Sequence, residues 1–183
     1  PPSNGINVIS GTLASGNLPN SALILQNGGA YSPGAVNSID TVTIRGITLN
    51  GGDLLYNLGN ASSDRINLES YGVAELNGPV VFDFSNLGYS AGTFTLLTGN
   101  GVSSFNTANL SYNAVGNFSV SGNFVVSGNS LIFQTAAPAA NYTWTGGAGN
   151  GSWNAAANWD PATIPPAWKT VHFAGNNQLN VDT

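Results

Sequence analysis

Carboxylates are the most numerous side chains of this chain that could take part in acid–base chemistry. Asp and Glu number eight in 183 residues, and strands stacked in successive layers could make neighbours of Asp53 and Asp83, or of Glu69 and Glu75. Two carboxylates on one face would suit a polysaccharide lyase or hydrolase, or a Ca²⁺ site. Such enzymes usually also need Lys or Arg, and the chain has only three of these residues. We therefore predict no catalytic residue and no enzymatic activity, and keep a polysaccharide-active enzyme as the minor alternative.

The only histidine and one glycine-rich loop are the remaining candidates for metal chemistry. His172 lies between two apolar residues on a predicted strand, so its side chain is expected to face solvent. The loop 146–154 partly matches the nonapeptide Ca²⁺ repeat GGxGxDxUx, but Gly151 occupies the Asp position and the motif occurs once. The chain contains no Cys, which excludes thiolate ligands and disulfides. We predict neither a metal site nor a cofactor.

Charge is scarce throughout the chain, and most of it is negative. Charged residues make up 6% of the sequence and the net charge is −5, whereas Asn, Ser and Thr number 26, 19 and 14. Three basic residues are too few to neutralise phosphates, so nucleic-acid binding is excluded as a function. No apolar run approaches the ~18 residues of a membrane span, so we do not expect a membrane-embedded chain. Arg65 follows Asp64 directly and is expected to form a local ion pair with it or with Glu69.

Aromatic residues are concentrated near the end of the sequence, where all four Trp occur. The candidate ligand or interface residues are Tyr142, Trp144, Trp153, Trp159 and Trp168. Such a block could form a platform on which sugar rings stack, as in carbohydrate-binding modules, or a contact with another molecule. It could also pack internally or cap the end of a repetitive β-structure, which would otherwise expose strand edges. We favour packing or capping and keep the carbohydrate-binding module as an alternative.

Short β-type segments separated by turns must position all of these residues. The predicted strands are 6–9, 22–26, 41–49, 54–56, 65–68, 73–76, 80–84, 93–97, 118–120, 124–126 and 131–133. Arg45 and Gly46 interrupt the alternation of apolar and polar residues inside one of them, as a bulge or corner would. Only the segment 155–157 could form a helical turn. The sequence therefore predicts an all-β protein.

The dipeptide Asn-Gly recurs along the chain and sets the expected repeat length. It begins at Asn4, Asn27, Asn50, Asn77, Asn100 and Asn150, with intervals of 23, 23, 27, 23 and 50 residues. Asn-Gly supplies the positive φ of a tight turn, and a period in the twenties fits one coil of a β-solenoid. We expect Asn side chains of successive coils to hydrogen-bond along the coil axis. A β-sandwich is the alternative fold, since short strands at regular spacing suit both architectures.

Composition divides the chain into two regions. Residues 1–135 hold nearly all of the aliphatic strand segments and no Trp, and are predicted to form β-solenoid coils. Residues 136–140, with the sequence AAPAA, are predicted to be a linker. Residues 141–183 are expected to form a Trp-rich β unit that is a cap or the start of a next array.

One Trp-rich segment and four segments rich in Gly, Asn and aliphatic residues carry a resemblance to a known family. The first, YTWTGGAGNGSWNAAANW from Tyr142 to Trp159, resembles the opening unit of proteins with autotransporter-associated β-strand repeats. The others, GINVISGTLASGNLPNSALILQNGGAYSPG, SDRINL, GTFTLLTG and SGNSLIFQ, are similar in order and type to closing coils of that family. The resemblance implies a right-handed parallel β-helix that is secreted or displayed on a Gram-negative-type bacterium. It also implies a parent protein with several arrays in tandem.

The resulting hypothesis is a structural or adhesive extracellular rod, stalk or fibre subunit of a bacterial surface protein. Its partners would be other copies of itself, neighbouring arrays of the parent protein, or a surface polysaccharide. Copies are expected to join head to tail by strand addition. The residues expected to take part are Ile6 and Val8 in the opening strand and Leu179 and Val181 in the last one.

Overall fold

The computed structural model describes residues 5–135, 142–160, 162–165 and 171–173. The chain divides into two compact units, Pro1–Ala136 and Ala137–Thr183, which we call the solenoid unit and the Trp-rich unit. The boundary between them lies within the segment 136–140, and this expected linker is itself outside the described residues. Each unit has a hydrophobic core of its own.

The described residues of the solenoid unit form thirteen strands. In chain order they are β1 (Gly5–Val8), β2 (Gly11–Ser15), β3 (Leu18–Leu25), β4 (Gly29–Pro33), β5 (Thr41–Leu49), β6 (Asp53–Asn60), β7 (Arg65–Leu68), β8 (Ala74–Leu76), β9 (Val80–Ser90), β10 (Thr93–Thr98), β11 (Leu110–Val115), β12 (Gly122–Ser127) and β13 (Ser130–Thr135). Sheet A has the order β1-β3-β5-β7-β10-β13-β12, with β8 also paired to β5, and sheet B has the order β11-β9-β6-β4-β2. The chain alternates between the two sheets and winds into a β-solenoid of about five turns.

Parallel pairing between successive coils confirms the predicted β-solenoid. Strands β1 to β10 of sheet A and all strands of sheet B pair in parallel, whereas a β-sandwich is built from antiparallel sheets. The spacing between paired residues is 17 from Gly5 to Ala22, 24 from Ala22 to Gly46 and 31 from Ile66 to Leu97. The predicted period in the twenties is therefore right for the middle coils, while the first coil is shorter and the last is longer.

The core of the solenoid unit lies between the two sheets and follows from side-chain alternation. On β9, Val80, Phe82 and Phe84 are fully buried, while Val81 and Asp83 between them are partly exposed, as predicted. The other strands repeat this pattern, so each coil adds a layer to one continuous cluster. Burial of a large apolar side chain stabilises a fold by about 1.5–3 kcal/mol. The layers therefore supply the main favourable free energy of folding.

At the C-terminal end of the solenoid, strand pairing changes from parallel to antiparallel and a hairpin covers the core. Strand β13 runs antiparallel to β10, and β12 runs antiparallel to β13. The ring centroid of Phe133 on β13 lies 4.7 Å from that of Phe84 on β9, so aromatic rings fill this end of the core. The predicted strand 118–120 is wrong, because Phe118 and Val120 lie in an irregular segment and pack against the core instead.

Three strands of sheet B are not anticipated by the sequence pattern. They are β2, β4 and β11, with the sequences GTLAS, GAYSP and LSYNAV. Their apolar residues are too few for a clear alternation. They become strands because a neighbouring coil offers backbone N–H and C=O groups that must be paired.

A ladder of side-chain amides runs along one corner of the solenoid. Asn50 Nδ2 donates to Gln26 Oε1 at 3.3 Å, and Asn77 Nδ2 donates to Asn50 Oδ1 at 3.0 Å. At the same corner Asn129 Nδ2 donates to Asn100 Oδ1 at 3.5 Å. The predicted hydrogen bonding of Asn side chains along the coil axis is confirmed.

Glycine in the Asn-Gly turns has two different purposes. Gly28 has a φ of 92°, the left-handed conformation that was predicted. Gly78 does not have a positive φ, but a Cβ there would lie 2.3 Å from the carbonyl oxygen of Asn50 in the preceding coil. The expected positive φ is thus wrong at Gly78, and also at Gly5. At Gly78 the constraint is close approach between coils.

Sheet A contains an irregularity that crosses three consecutive coils. In β5, two successive residues are buried immediately after Arg45, so the alternation changes phase there, as predicted. On one side of β5, residues 19–21 of β3 lie opposite Arg45 alone, so the register between β3 and β5 shifts there. On the other side, the turn 69–73 separates β7 from β8, although both pair with β5. We call the segments 19–21, 45–46 and 69–73 the kink line.

The Trp-rich unit contains a small sheet of three strands in its described residues. Strand β14 (Tyr142–Trp144) lies at the centre, between β15 (Trp159–Asp160), which is antiparallel, and β16 (Val171–Phe173), which is parallel. The predicted helical turn at 155–157 is present, shifted by one residue, as the 3₁₀ helix Ala156–Asn158.

We expect Gly29→Ala to destabilise the solenoid unit. Its Cβ would lie 2.4 Å from the carbonyl oxygen of Val8 in the first coil, a contact that only a backbone shift can relieve. Gly16→Ala is the matched control, because no atom lies within 4 Å of the added methyl group. Urea unfolding should show a loss of about 2 kcal/mol for Gly29→Ala and a change within about 0.5 kcal/mol for Gly16→Ala. Equal effects would contradict close coil-to-coil packing at this corner.

Candidate functional site

Four of the five predicted aromatic site residues lie in one cluster of the Trp-rich unit. Tyr142 and Trp144 on β14 and Trp159 on β15 are almost fully buried and form its core. The ring of Trp153 stacks on Trp144 at a centroid distance of 6.4 Å and contacts Trp159 edge-on at 4.6 Å. Trp168 lies outside the described residues. The three buried rings serve packing and leave no face for a ligand.

Two aromatic side chains of this unit stay accessible. Trp153 is 39% exposed and Phe173 is 45% exposed. Phe173 pairs with Trp144 across the sheet, at a ring-centroid distance of 6.5 Å. The indole N–H of Trp159 donates to the backbone carbonyl oxygen of Trp153 at 2.9 Å and fixes the loop that contains Trp153. Phe173 is absent from the predicted site, although its position two residues after Val171 could have indicated it.

The glycine-rich loop 146–154 is organised by one buried amide that sequence reasoning missed. Asn158 is fully buried, and its Oδ1 accepts from the backbone N–H of Ala148 at 2.7 Å. Its Nδ2 donates to Asn150 Oδ1 at 2.8 Å and to the carbonyl oxygen of Ser152 at 2.9 Å. Among the described residues, no group of three His, Cys, Asp or Glu side chains could hold a metal ion. The loop polar groups thus bind each other.

His172 lies on the exposed face of β16, as predicted. It pairs with Thr143 on the central strand, and Thr143 pairs on its other side with Asp160. The strands that carry His172 and Asp160 are therefore about 9.5 Å apart, twice the spacing of neighbouring strands. This placement separates the imidazole from the carboxylate, and the two residues do not lie on neighbouring strands.

One of the two suggested carboxylate pairs comes together in the solenoid unit. Asp53 on β6 and Asp83 on β9 lie on neighbouring strands of sheet B, two residues apart in register. Burial, and then the charge of Asp83, raise the pKa of Asp53. Asp83 accepts a hydrogen bond from Asn113 Nδ2 at 2.9 Å. The pair lies on the outer face of the sheet, where an amide rather than a basic side chain is the observed partner.

Glu69 and Glu75 bind different neighbours. Glu69 Oε1 accepts from the backbone N–H of Asn20 at 3.3 Å, two strands away across sheet A. Glu75 Oε2 accepts from the hydroxyl of Thr48 at 3.3 Å. Glu69 begins the turn 69–73, Glu75 lies on β8 beyond the turn, and the two carboxylates do not share a hydrogen-bond partner.

The expected ion pair of Arg65 with Asp64 or Glu69 is wrong. Asp64 lies just before β7 and is fully buried, whereas Arg65 begins β7 on the face opposite the buried Ile66 and so lies on the outer face of sheet A. Arg65 Nη2 donates to Thr98 Oγ1 at 3.0 Å, bridging from β7 to the next coil.

Asp64 is a fully buried carboxylate at the corner where the chain returns from sheet B to sheet A. Its Oδ1 accepts from the backbone N–H of Asp40 at 2.8 Å. Its Oδ2 accepts from the backbone N–H and from Nδ2 of Asn57, at 2.7 and 2.9 Å. Burial raises the pKa of Asp64 to about 6, against the opposing effect of these hydrogen bonds. The carboxylate thus ties two successive coils together.

Asp40 lies at the equivalent corner of the preceding coil but is not buried in the same way. Hydrogen bonds from the Ser38 hydroxyl and the Ala35 backbone N–H lower its pKa. Asp40 borders an open depression lined by residues 14–17, 34–35 and 41–42. This depression is open, and Asp40 is the single carboxylate among its lining residues.

Comparison with known proteins gave no match: no protein family, no curated protein and no solved structure matches this chain. In the part of the chain that the structure describes, no helix is long and apolar enough to cross a membrane. Function must therefore be inferred from the geometry of the two units.

We expect the stability of the solenoid unit to fall as the pH rises from about 4 to 7, because of Asp64. Its pKa is about 6 in the folded chain and 3.8 ordinarily, so the folded state binds more protons in this interval. The stabilising contribution is complete below the lower pKa and is lost as the pH rises through the higher one. Urea unfolding at a series of pH values measures this slope.

Asp64→Asn should remove that slope and lower stability by about 1–3 kcal/mol, since its NH₂ group would face N–H donors. Glu75→Gln changes an exposed carboxylate and should keep the wild-type pH profile. An unchanged profile in Asp64→Asn would show that another group causes the slope.

Proposed function

We propose that the chain belongs to an extracellular structural rod in which stacked coils form a stiff support and copies associate through open strand edges. The contrast between the two ends of the solenoid unit carries this proposal. At the C-terminal end the hairpin of β12 and β13 covers the core, with the ring of Phe124 on β12 5.0 Å from that of Phe82 on β9. At the other end, within the described residues, β1 and β2 each have a partner strand on one side only, as β11 and β12 do, but no hairpin covers the core, so this end is open.

The open end lacks the charges by which proteins usually protect strand edges from association. Residues 1–39 contain no charged side chain, and the first is Asp40. Ile6 on β1 and Leu13 on β2 are only partly buried, and Ile9 between the two strands is exposed. Uncharged edges with apolar side chains in both sheets suit the addition of further strands.

Strand addition would use the residues that the sequence indicated. Ile6 and Val8 lie on β1 at the open edge, with Val8 buried and Ile6 partly buried. Leu179 and Val181, the expected donor residues, lie outside the described residues. In the proposed head-to-tail assembly, the last strand of one copy pairs with β1 of the next and continues sheet A.

Chemical composition supports a location outside the cell. The chain has neither Cys nor Met, so it contains few groups that oxidise readily. Parallel coils pair backbone groups above and below, which gives stiffness without disulfides. The resemblance to autotransporter-associated repeats supports display or secretion by a Gram-negative-type bacterium, as part of a larger surface protein. Neighbouring arrays of that protein, or a surface polysaccharide, would then be natural partners.

Lysine at the open edges should block self-association. Asn7 on β1 and Thr12 on β2 are exposed, so Asn7→Lys combined with Thr12→Lys adds charge without disturbing the core. Thr93→Lys, at an exposed position of β10, which is paired on both sides, is the control. Sedimentation velocity should show association of the wild type and of Thr93→Lys with rising concentration, and monomers of the double variant. A wild type that stays monomeric at millimolar concentration would overturn strand addition.

Carbohydrate binding by the Trp-rich unit is a second proposed function, favoured by the accessible rings of Trp153 and Phe173. All four Trp lie in residues 141–183, so Trp emission reports on this unit alone. Binding of a polysaccharide should shift the emission of the wild type, and Trp153→Ala should abolish the shift. Trp153→Phe keeps an aromatic face and should retain binding measured by calorimetry. Absence of any shift across neutral and acidic polysaccharides would contradict this function.

A further inference from the structure

The turn 69–73 of the kink line presents an aromatic ring that is almost completely exposed. Tyr71 at its tip is 94% exposed, and Val73 beside it is 51% exposed. The turn exists because five residues lie opposite only Arg45 and Gly46 of β5. The three additional residues cannot fit into the sheet, so they project from it and carry the ring outward.

Hydrogen bonds hold this turn from the coils on both sides. The backbone N–H of Glu69 donates to the carbonyl oxygen of Ile44 at 2.9 Å, and Glu69 Oε1 accepts from the backbone N–H of Asn20 at 3.3 Å. From the following coil, Asn100 Nδ2 donates to the carbonyl oxygen of Ser70 at 3.1 Å. The turn is therefore fixed by β3, β5 and the coil that contains β10.

Close packing of the backbone adds to this restraint. A Cβ on Gly72 would lie 1.7 Å from the carbonyl oxygen of Arg45, so the turn rests directly on β5. The Gly72 N–H also donates to the carbonyl oxygen of Glu69 at 2.8 Å and closes the turn. A ring on a fixed turn loses little conformational entropy on binding, and this preorganisation favours recognition.

The side chains around the ring can form many hydrogen bonds. Eight of the eleven charged residues of the chain lie between residues 40 and 83. Arg45 and Glu75 are exposed, and Glu69 is partly exposed, all in or beside the kink line. The exposed amide of Asn100 and the exposed residue Asn20 flank the same turn, the first through its side chain and the second through its backbone N–H. Guanidinium, carboxylate and amide groups are the side chains that bind pairs of neighbouring hydroxyl groups.

From these observations we propose that Tyr71 is a stacking residue for a neutral pyranose ring of a polysaccharide. The apolar C–H face of a pyranose suits the electron-rich face of an aromatic ring. Two carboxylates beside one guanidinium make the surroundings acidic, which disfavours sulfated or uronic acid polymers. One ring and one valine are also far smaller than the roughly 800 Å² that each partner buries in a stable protein interface. The site rests on the proposed function, since it would supply the adhesive contact of the rod.

Calorimetry of the full chain tests the proposal with two probes, the hexasaccharides of β-1,4-linked glucose and N-acetylglucosamine. We expect at least one to bind, and Tyr71→Ala to weaken its binding by about tenfold or more. Tyr71→Phe keeps the ring and should bind within about threefold of the wild type. Val115→Ala, at an exposed side chain of sheet B, should bind as the wild type does. Because residues 1–135 contain no Trp, binding at Tyr71 should leave Trp emission unchanged.

A folding defect cannot be confused with lost binding here. Exposed side chains contribute little to stability, so Tyr71→Ala should unfold in urea within about 0.5 kcal/mol of the wild type. Equal affinities of Tyr71→Ala and wild type, an equal loss of binding in Val115→Ala and Tyr71→Ala, or no heat from either probe at millimolar concentration would each overturn the proposal. Loss of self-association in Tyr71→Ala would assign the ring to an interface between copies and overturn it too. If sedimentation shows no strand addition, the affinities measured by calorimetry still test the Tyr71 site independently.

Discussion

Backbone hydrogen bonding between successive coils is the interaction on which the solenoid unit depends. Parallel strands lie about 4.8 Å apart, and at the corners the backbones approach so closely that only glycine fits. Gly29 against Val8 and Gly78 against Asn50 are two such contacts. Because this pairing uses backbone atoms, the outer faces of the sheets need no particular side chains. A chain with only 6% charged residues can therefore fold, with hydroxyl and amide groups on its surface.

The same constraint decides where polar groups are buried. A corner returns the chain from one sheet to the other and leaves backbone N–H groups without strand partners. The Asp64 carboxylate accepts three hydrogen bonds there, from Asp40 and Asn57, which offset part of the cost of its burial. In the Trp-rich unit the buried amide of Asn158 does the same for its loop. Both residues stabilise irregular backbone, and neither is placed to act on a substrate.

Sequence pattern predicted the strands whose two faces differ and failed where neighbours decide the structure. Alternation was enough for β5 and β9, and the abundance of Asn predicted the ladder that contains Asn50. Strands β2, β4 and β11 could not be predicted, because they extend only where an adjacent coil pairs with them. For the same reason, the sequence pattern could not predict which residues of the candidate sites are buried and which are exposed. The burial of Trp144 and the exposure of Trp153 depend on the loop around Asn158, and the exposure of Tyr71 depends on the register between β5 and its neighbours.

The position of the kink line reconciles assembly with binding. In sheet A, the strand that carries the turn 69–73 lies three strand spacings, or about 14 Å, from the open edge at β1. Strands added at that edge would extend the sheet without covering the outer face on which Tyr71 projects. The uncharged stretch of residues 1–39 leaves the edge free to pair, whereas the charged residues between 40 and 83 surround the exposed ring. A rod built in this way would repeat one accessible contact in every copy, and many weak contacts along one support bind more tightly than any single one.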